Sequence, residues 1–275
     1  MLARIFKQKY KLLVVSSIFL LGTLIYSNTL YSSLHCDDVL AIVGNLAIRN
    51  IFNLQAIWDF WPTRFITYFS VALNYHLSQL NVFSYHLFNL IVHLSSGILV
   101  SWFMLLTFST PAMKEQKITR HARLIAFFAG LVFIAHPIQT QGVTYIIQRA
   151  ASLAAFFYLI SLSLYVKSRL LGQQGRRKIF PRLYYSGAFV AAILAMFTKE
   201  MAITLPLMVL LYELCFFKTK ERLNWKYPVY FLSTILIIPL TMLLTKSVDF
   251  IKMKRILEPP PDIYPWQYFF TQLRV

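Results

Sequence analysis

The stretch LLVVSSIFLLGTLIYSNTLYSSLHCDD, residues 12–38, decides how the rest of the chain is read. Its first part, Leu12 to Tyr31, is apolar over the ~20 residues a helix needs to cross hydrocarbon. Basic residues precede it from Arg4 to Lys11, and two adjacent acids, Asp37 and Asp38, follow it. A signal peptide has a shorter apolar core and a small-residue cleavage site, so the stretch reads as a retained first span. The run His35-Cys36-Asp37-Asp38 then emerges on the far side of the membrane. Ionised groups at such a boundary are costly without a partner, a cation or water, which makes the two acids the first candidates for chemistry.

The 275 residues are 58% hydrophobic and 13% charged, about half the ~25% charged fraction of an ordinary soluble domain. Apolar runs near spanning length recur along the chain. The expected class is all-α: a polytopic membrane protein with about seven transmembrane helices and interfacial helices in the first external loop. A net charge of +17 would suggest nucleic acid if it were spread over a soluble surface. Instead, eighteen of the 27 Lys and Arg residues fall in Arg4–Lys11, Lys114–Arg123, Lys167–Arg182 and Lys218–Lys226, always between apolar segments. That is the positive-inside pattern of cytoplasmic loops, and no nucleic-acid partner is expected. The two cysteines, Cys36 and Cys215, fall on opposite sides and form no disulfide framework.

With the basic clusters as markers, span one (12–31) leads out, the external segment 32–83 follows, and span two (84–108) returns. Span three starts at Leu124 and turns polar at His136 after a dozen apolar residues, roughly 18–20 Å of helix against ~30 Å of hydrocarbon. Span four covers 151–166. The apolar block from Leu183 to Phe217 is broken by Lys199-Glu200 and flanked by basic clusters, so it reads as a hairpin of two short spans. Span seven (227–247) leads to an external tail, 248–275. Within 32–83, Leu40, Val43, Ala47, Ile51, Leu54, Trp58 and Trp61 recur near helical spacing. That suits helices lying in the interface with the tryptophans at headgroup level, followed by a helical stretch from Phe65 to Leu80.

Asp37 and Asp38 could serve as a general base or as metal ligands; the plainer alternative is an N-cap for a helix starting at Val39. His35 adjoins them, but three consecutive ligands rarely converge on one ion, so a divalent cation is left open. His86, Asn89 and His93 share one helix face, either bonding to neighbouring helices or lining a cavity. His136-Pro137-Ile138-Gln139-Thr140-Gln141, with Gln148-Arg149 behind it, ends the short third span. Polar irregular backbone at membrane depth is tolerated only inside protein or along a watery cavity, so His136, Gln139, Gln141 and Arg149 are expected in a cavity wall. Lys199 and Glu200 pair with each other, snorkel outward from the span ends, or reach the same cavity. Arg64, Arg149 and Lys199 are then candidate donors to a phosphate. Glu213 is expected to pair with Lys218 or Lys220.

One span, external Asp-Asp, Trp61-Pro62-Thr63-Arg64, Tyr85-His86-Leu87-Phe88-Asn89, His136 to Gln141, Gln148 to Leu153 and Thr198-Lys199-Glu200 occur in that order. This order resembles the membrane domain of bacterial tetratricopeptide-repeat membrane proteins and of the related eukaryotic transmembrane and tetratricopeptide-repeat O-mannosyltransferases, polytopic glycosyltransferases of the GT-C class. The resemblance covers nearly the whole chain, 1–275, as a single GT-C-like module. It implies inverting transfer of a sugar from a polyprenyl-phosphate donor to a protein or glycan acceptor on the non-cytoplasmic face. The role of base or metal ligand would fall on Asp37 or Asp38. Substrate contacts would fall among Arg64, His86, His93, His136, Gln139, Gln141, Arg149, Lys199 and Glu200. Full members carry further spans and C-terminal tetratricopeptide repeats that this sequence lacks, so a truncated, inactive fragment is one expectation. A non-catalytic membrane anchor or assembly module and a transporter of lipid-linked sugars are the alternatives. The absence of any Asn-x-Ser/Thr sequon fits a bacterial inner membrane with the N-terminus in the cytoplasm.

Overall fold

The computed structural model describes residues 2–175, 177–217 and 226–245, and among these residues there is no strand. The helices are α1 (Leu2–Tyr26), α2 (Leu54–Phe60), α3 (Phe65–Ser78), α4 (Val82–Phe108), α5 (Ala122–Ala135), α6 (Thr140–Thr144), α7 (Arg149–Gln173), α8 (Ile179–Met196), α9 (Leu205–Tyr212), α10 (Lys226–Leu232) and α11 (Ile237–Leu244). Among the described residues six segments are long and apolar enough to cross a membrane: Gln8–Thr29, Val82–Phe108, Lys117–Ala135, Ile146–Gln173, Ile179–Met196 and Glu200–Phe217. A shorter apolar stretch, Pro228–Leu244, stands where the seventh span is expected. Leu12, Phe19, Leu20 and Leu24 of α1 face outward, as side chains do where the surrounding solvent is hydrocarbon. The chain is an all-α, multi-pass integral membrane protein.

Helix α4 packs against α1, α5 and α7, and α7 lies along α8. The approach of α1, α4 and α5 depends on missing side chains. A Cβ on Gly130 would stand 3.0 Å from the Gly97 carbonyl oxygen and from Ile18 Cδ1, and one on Gly97 would meet Ile134 at 2.7 Å. Small residues are the usual means of close helix contact in membranes. Gly130→Val should therefore cost about 1–3 kcal/mol by overpacking, read as a lowered thermal midpoint of the detergent-solubilised protein; an unchanged midpoint would show that α5 can move away freely.

The third and fourth spans differ most from their expected limits. The fourth is not over at Val166; α7 continues to Gln173 because its polar residues are satisfied inside the bundle. Ser161 and Ser168 donate to the carbonyls of Ala188 (2.8 Å) and Pro181 (2.7 Å). Arg169 binds Glu213 through Nε at 3.1 and 3.0 Å, and Tyr165 donates to the same carboxylate at 2.8 Å. Glu213 thus pairs with Arg169; its expected partners, Lys218 and Lys220, lie outside the described residues. The third span keeps a short α-helix, but a tight turn over Lys117–His121 lengthens it to Lys117–Ala135. It stops at His136 because a residue before proline is driven out of the helical region; φ is −68° and ψ is 126° there.

The segment between α1 and α4 folds into a compact cap. Asn53 caps α2 by accepting the Ala56 N–H at 3.1 Å, and α3 ends at Gln79 with φ +54°. Ile42, Ile48, Ile57, Tyr68, Val71 and Ala72 are buried together with Tyr85 and Ile146, so α3 packs onto the bundle as well as covering it. The tail 248–275 lies outside the described residues.

Candidate active site

Two adjacent acids take opposite environments. Cys36 has φ +50°, in the left-handed region that costs a non-glycine residue energy. Beyond it Asp38 is fully buried while Asp37 is exposed. Asp38 does not cap the turn beginning at Val39. Its Oδ1 accepts the Ile147 N–H at 2.8 Å, just before α7, where unpaired N–H groups and the helix dipole favour an anion. The Asp37 N–H donates to the Tyr145 hydroxyl at 2.9 Å, and the His35 ring stacks on Tyr145 at 4.9 Å. These contacts fasten 35–38 to 145–147. Burial raises the Asp38 carboxyl above its usual range, although the Ile147 and His35 N–H groups pull the other way.

The Asp37 side chain opens into a cavity of about 340 Å³. Lys199 and Arg64 line the same cavity, with Phe60, Trp61 and Tyr68 as aromatic wall. Arg64 is fixed: its Nε donates to Glu200 at 3.0 and 3.1 Å, its Nη2 donates at 3.0 Å, and its guanidinium lies 4.4 Å over Trp61. Thr63 adds a 2.8 Å bond to Glu200, and the Ile66 N–H donates to the Phe197 carbonyl at 2.9 Å. The start of α3 is thereby stitched to the tip between α8 and α9. Glu200 pairs with Arg64 and not with its neighbour Lys199. Among the described residues no carboxylate lies within ion-pair distance of Lys199. Burial and the nearby Arg64 charge push its ammonium below the usual lysine range.

The remaining candidates are placed elsewhere. Arg149 is fully buried and bound on all sides: Nε to Asn89 Oδ1 at 2.8 Å, Nη1 to Asn74 Oδ1 at 2.6 Å and to the Ser70 carbonyl at 3.2 Å, Nη2 to the Tyr85 carbonyl at 3.0 Å. Its expected place in a cavity wall is corrected: the bonds that satisfy it also withdraw it from any ligand. His86 and His93 are buried too, with Nε2 near the Ser32 carbonyl (3.1 Å) and the Ile134 carbonyl (3.3 Å). The His86–Asn89–His93 face therefore makes interhelical contacts. His136 is exposed and accepts the Ile138 N–H at 3.2 Å; neither it nor Gln139 nor Gln141 lines the Asp37 cavity. Gln148 and Tyr68 do line it. Among the described residues no group of three or more His, Cys, Asp or Glu side chains converges; His35 Nδ1 comes within 4.0 Å of Asp38 Oδ2, but Asp37 turns to the cavity instead.

A larger hollow of about 620 Å³ adjoins the first across Phe60 and Trp61, bounded by Asp59, Thr63 and Glu200. One carboxylate, two cations and three aromatic rings thus line one cavity, with a second hollow adjoining it.

No family model matches the chain, and no solved structure matches it. Curated proteins do. It is 32% identical over 213 residues to protein O-mannosyl-transferase Tmtc3 of Drosophila melanogaster, covering 69% of this chain and 23% of that protein. It is 32% identical over 161 residues to protein O-mannosyl-transferase TMTC2 of Homo sapiens, covering 54% and 18%. The match to protein O-mannosyl-transferase TMTC1 of Mus musculus is 30% over 209 residues, covering 70% and 21%. The chain is thus similar over much of its length to animal protein O-mannosyl-transferases, and it spans less than a quarter of the length of each.

Proposed function

We propose that the Asp37 cavity transfers a sugar from a polyprenyl-phosphate donor to a hydroxyl of a protein or glycan acceptor. The observation that carries this reading is the meeting of one exposed carboxylate with Lys199 and Arg64 in a single aromatic-walled cavity. Asp37 takes the acceptor proton while the acceptor oxygen bonds to the anomeric carbon. The bond from that carbon to the phosphate oxygen breaks, and polyprenyl phosphate leaves with the electron pair, inverting the centre. Lys199, with which no carboxylate among the described residues pairs, meets the charge growing on the leaving phosphate. Arg64, held by Glu200, sets the wall and adds to the field. Trp61 and Tyr68 offer ring faces to the sugar. Asp38 fixes the loop that aims Asp37.

The names of the relatives support mannose as the sugar and protein as the acceptor. The basic clusters support a cytoplasmic N-terminus and with it a cavity on the non-cytoplasmic face, open to a lipid-borne donor from the bilayer. The lack of sequons supports a bacterial inner membrane. Lys199→Met, assayed in membranes, should lower transfer by ~10²-fold, the effect of deleting one donor to a developing oxyanion; Lys199→Arg should recover part of it. Unchanged transfer in Lys199→Met would overturn the assignment.

A further inference from the structure

At the opposite end of the bundle a cavity of about 840 Å³ opens among helix ends. Lys11 of α1, Arg120 in the turn before α5, Arg123 in its first turn and Lys167 of α7 line it, and among the described residues no Asp or Glu does. Glu115, the nearest acid in sequence, lies outside the lining and pairs with Lys114 at 3.7 Å. The positive-inside rule accounts for basic residues at this end. It does not account for Lys11, Arg120 and Arg123, brought from two segments to one hollow, where like charges repel less with an anion between them. The geometry is held in place. The Tyr10 hydroxyl donates to the Arg123 carbonyl at 2.8 Å, and Arg120 Nε donates to His121 Nε2 at 2.9 Å. Leu12 and Leu124, next in sequence to Lys11 and Arg123, and Leu183, next to the lining Tyr184, are 70%, 56% and 66% exposed.

We propose that this cavity binds the phosphate headgroup of an anionic phospholipid, with the acyl chains along the exposed leucines of α1, α5 and α8. A headgroup phosphate and free inorganic phosphate share the anion, but only the lipid also uses the apolar flank. Basic hollows between helices on the cytoplasmic side suit such headgroups. The site is independent of the chemistry at Asp37, so either reading can fail alone.

The test is a titration of the purified protein in neutral detergent with phosphatidylglycerol, phosphatidylcholine and inorganic phosphate, read by native mass spectrometry and by thermal midpoint. Phosphatidylglycerol should be retained and raise the midpoint; the other two should not. The exposed pair Lys11→Gln/Arg120→Gln should weaken phosphatidylglycerol binding by ~10-fold or more, and Lys114→Gln/Lys117→Gln, the same charge change at the same end but off the cavity, by only about twofold. Equal losses in the two pairs would reduce the effect to a general positive field and overturn the site. So would phosphatidylcholine or phosphate matching phosphatidylglycerol on the unaltered protein, an outcome readable even if a variant fails to fold.

Discussion

Asp37→Asn should lower glycosyl transfer by ~10²–10⁴-fold, the usual worth of a positioned general base, with donor KM little changed and the protein as stable as before. The separation of activity from stability follows from where the side chain sits. Asp37 reaches the fold through its backbone N–H, bound to Tyr145, while its exposed carboxylate faces the cavity. Radiolabelled transfer in membranes and thermal unfolding of the purified variant read the two quantities separately. Transfer within a few-fold of wild type would remove Asp37 from the chemistry. Asp38→Asn should do the reverse and act mainly on stability and its pH dependence. Burial raises the Asp38 pKa in the folded protein, so the folded state binds the proton more tightly than the unfolded one. That contribution is fully present below the unfolded carboxyl pKa of ~4 and is lost as pH rises through the higher folded value. The wild type should therefore lose stability across that window, and Asp38→Asn should lose less.

Spans were legible because hydrocarbon imposes length and apolarity on any sequence that crosses it, as in Leu12–Tyr31 and the hairpin tip at Lys199-Glu200. The limit of span four was misplaced because Lys167 and Arg169 look like a cytoplasmic boundary, whereas Arg169 is carried inside by Glu213 on another helix. Periodicity along one segment cannot register a partner 44 residues away. The same blindness governs the site. Asp37, Lys199 and Arg64 could be singled out as charges at membrane ends, yet nothing local distinguished Asp37 from Asp38; that difference comes from Ile147, which tertiary folding brings to Asp38. Gln148 and Arg149 were read as one polar unit. On entering a helix, successive side chains point about 100° apart, so Gln148 lines the cavity and Arg149 goes inward. The Asn89 face did carry a signal, because polar residues at helical spacing in a span must be answered by another helix or by water; the sequence left that choice open and Arg149 decides it.

Arg149→Met should cost roughly 3 kcal/mol of stability, and Arg149→Lys should be no better. The guanidinium joins three helices through four acceptors: Ser70 and Asn74 of α3, Tyr85 and Asn89 of α4, all gathered on α7. Methionine restores much of the volume and removes the cost of burying a charge, but it leaves the Asn74 and Asn89 side-chain oxygens unanswered at about 1–3 kcal/mol each. The two carbonyls suffer less, since helical backbone already engages them. Lysine keeps the buried charge, with its desolvation cost, and offers one compact ammonium where a planar fork served four separated oxygens. Charge conservation therefore gives no advantage. The Phe88 ring, 4.3 Å from the guanidinium, favours the flat cation for the same reason. Thermal or denaturant unfolding in detergent ranks the variants, and transfer assays below the variants' midpoints show whether activity follows the folded fraction alone. If Arg149→Lys restored both stability and transfer while Arg149→Met restored neither, the residue would be acting as a charge toward a ligand, and the clamp assigned to it would be the wrong account.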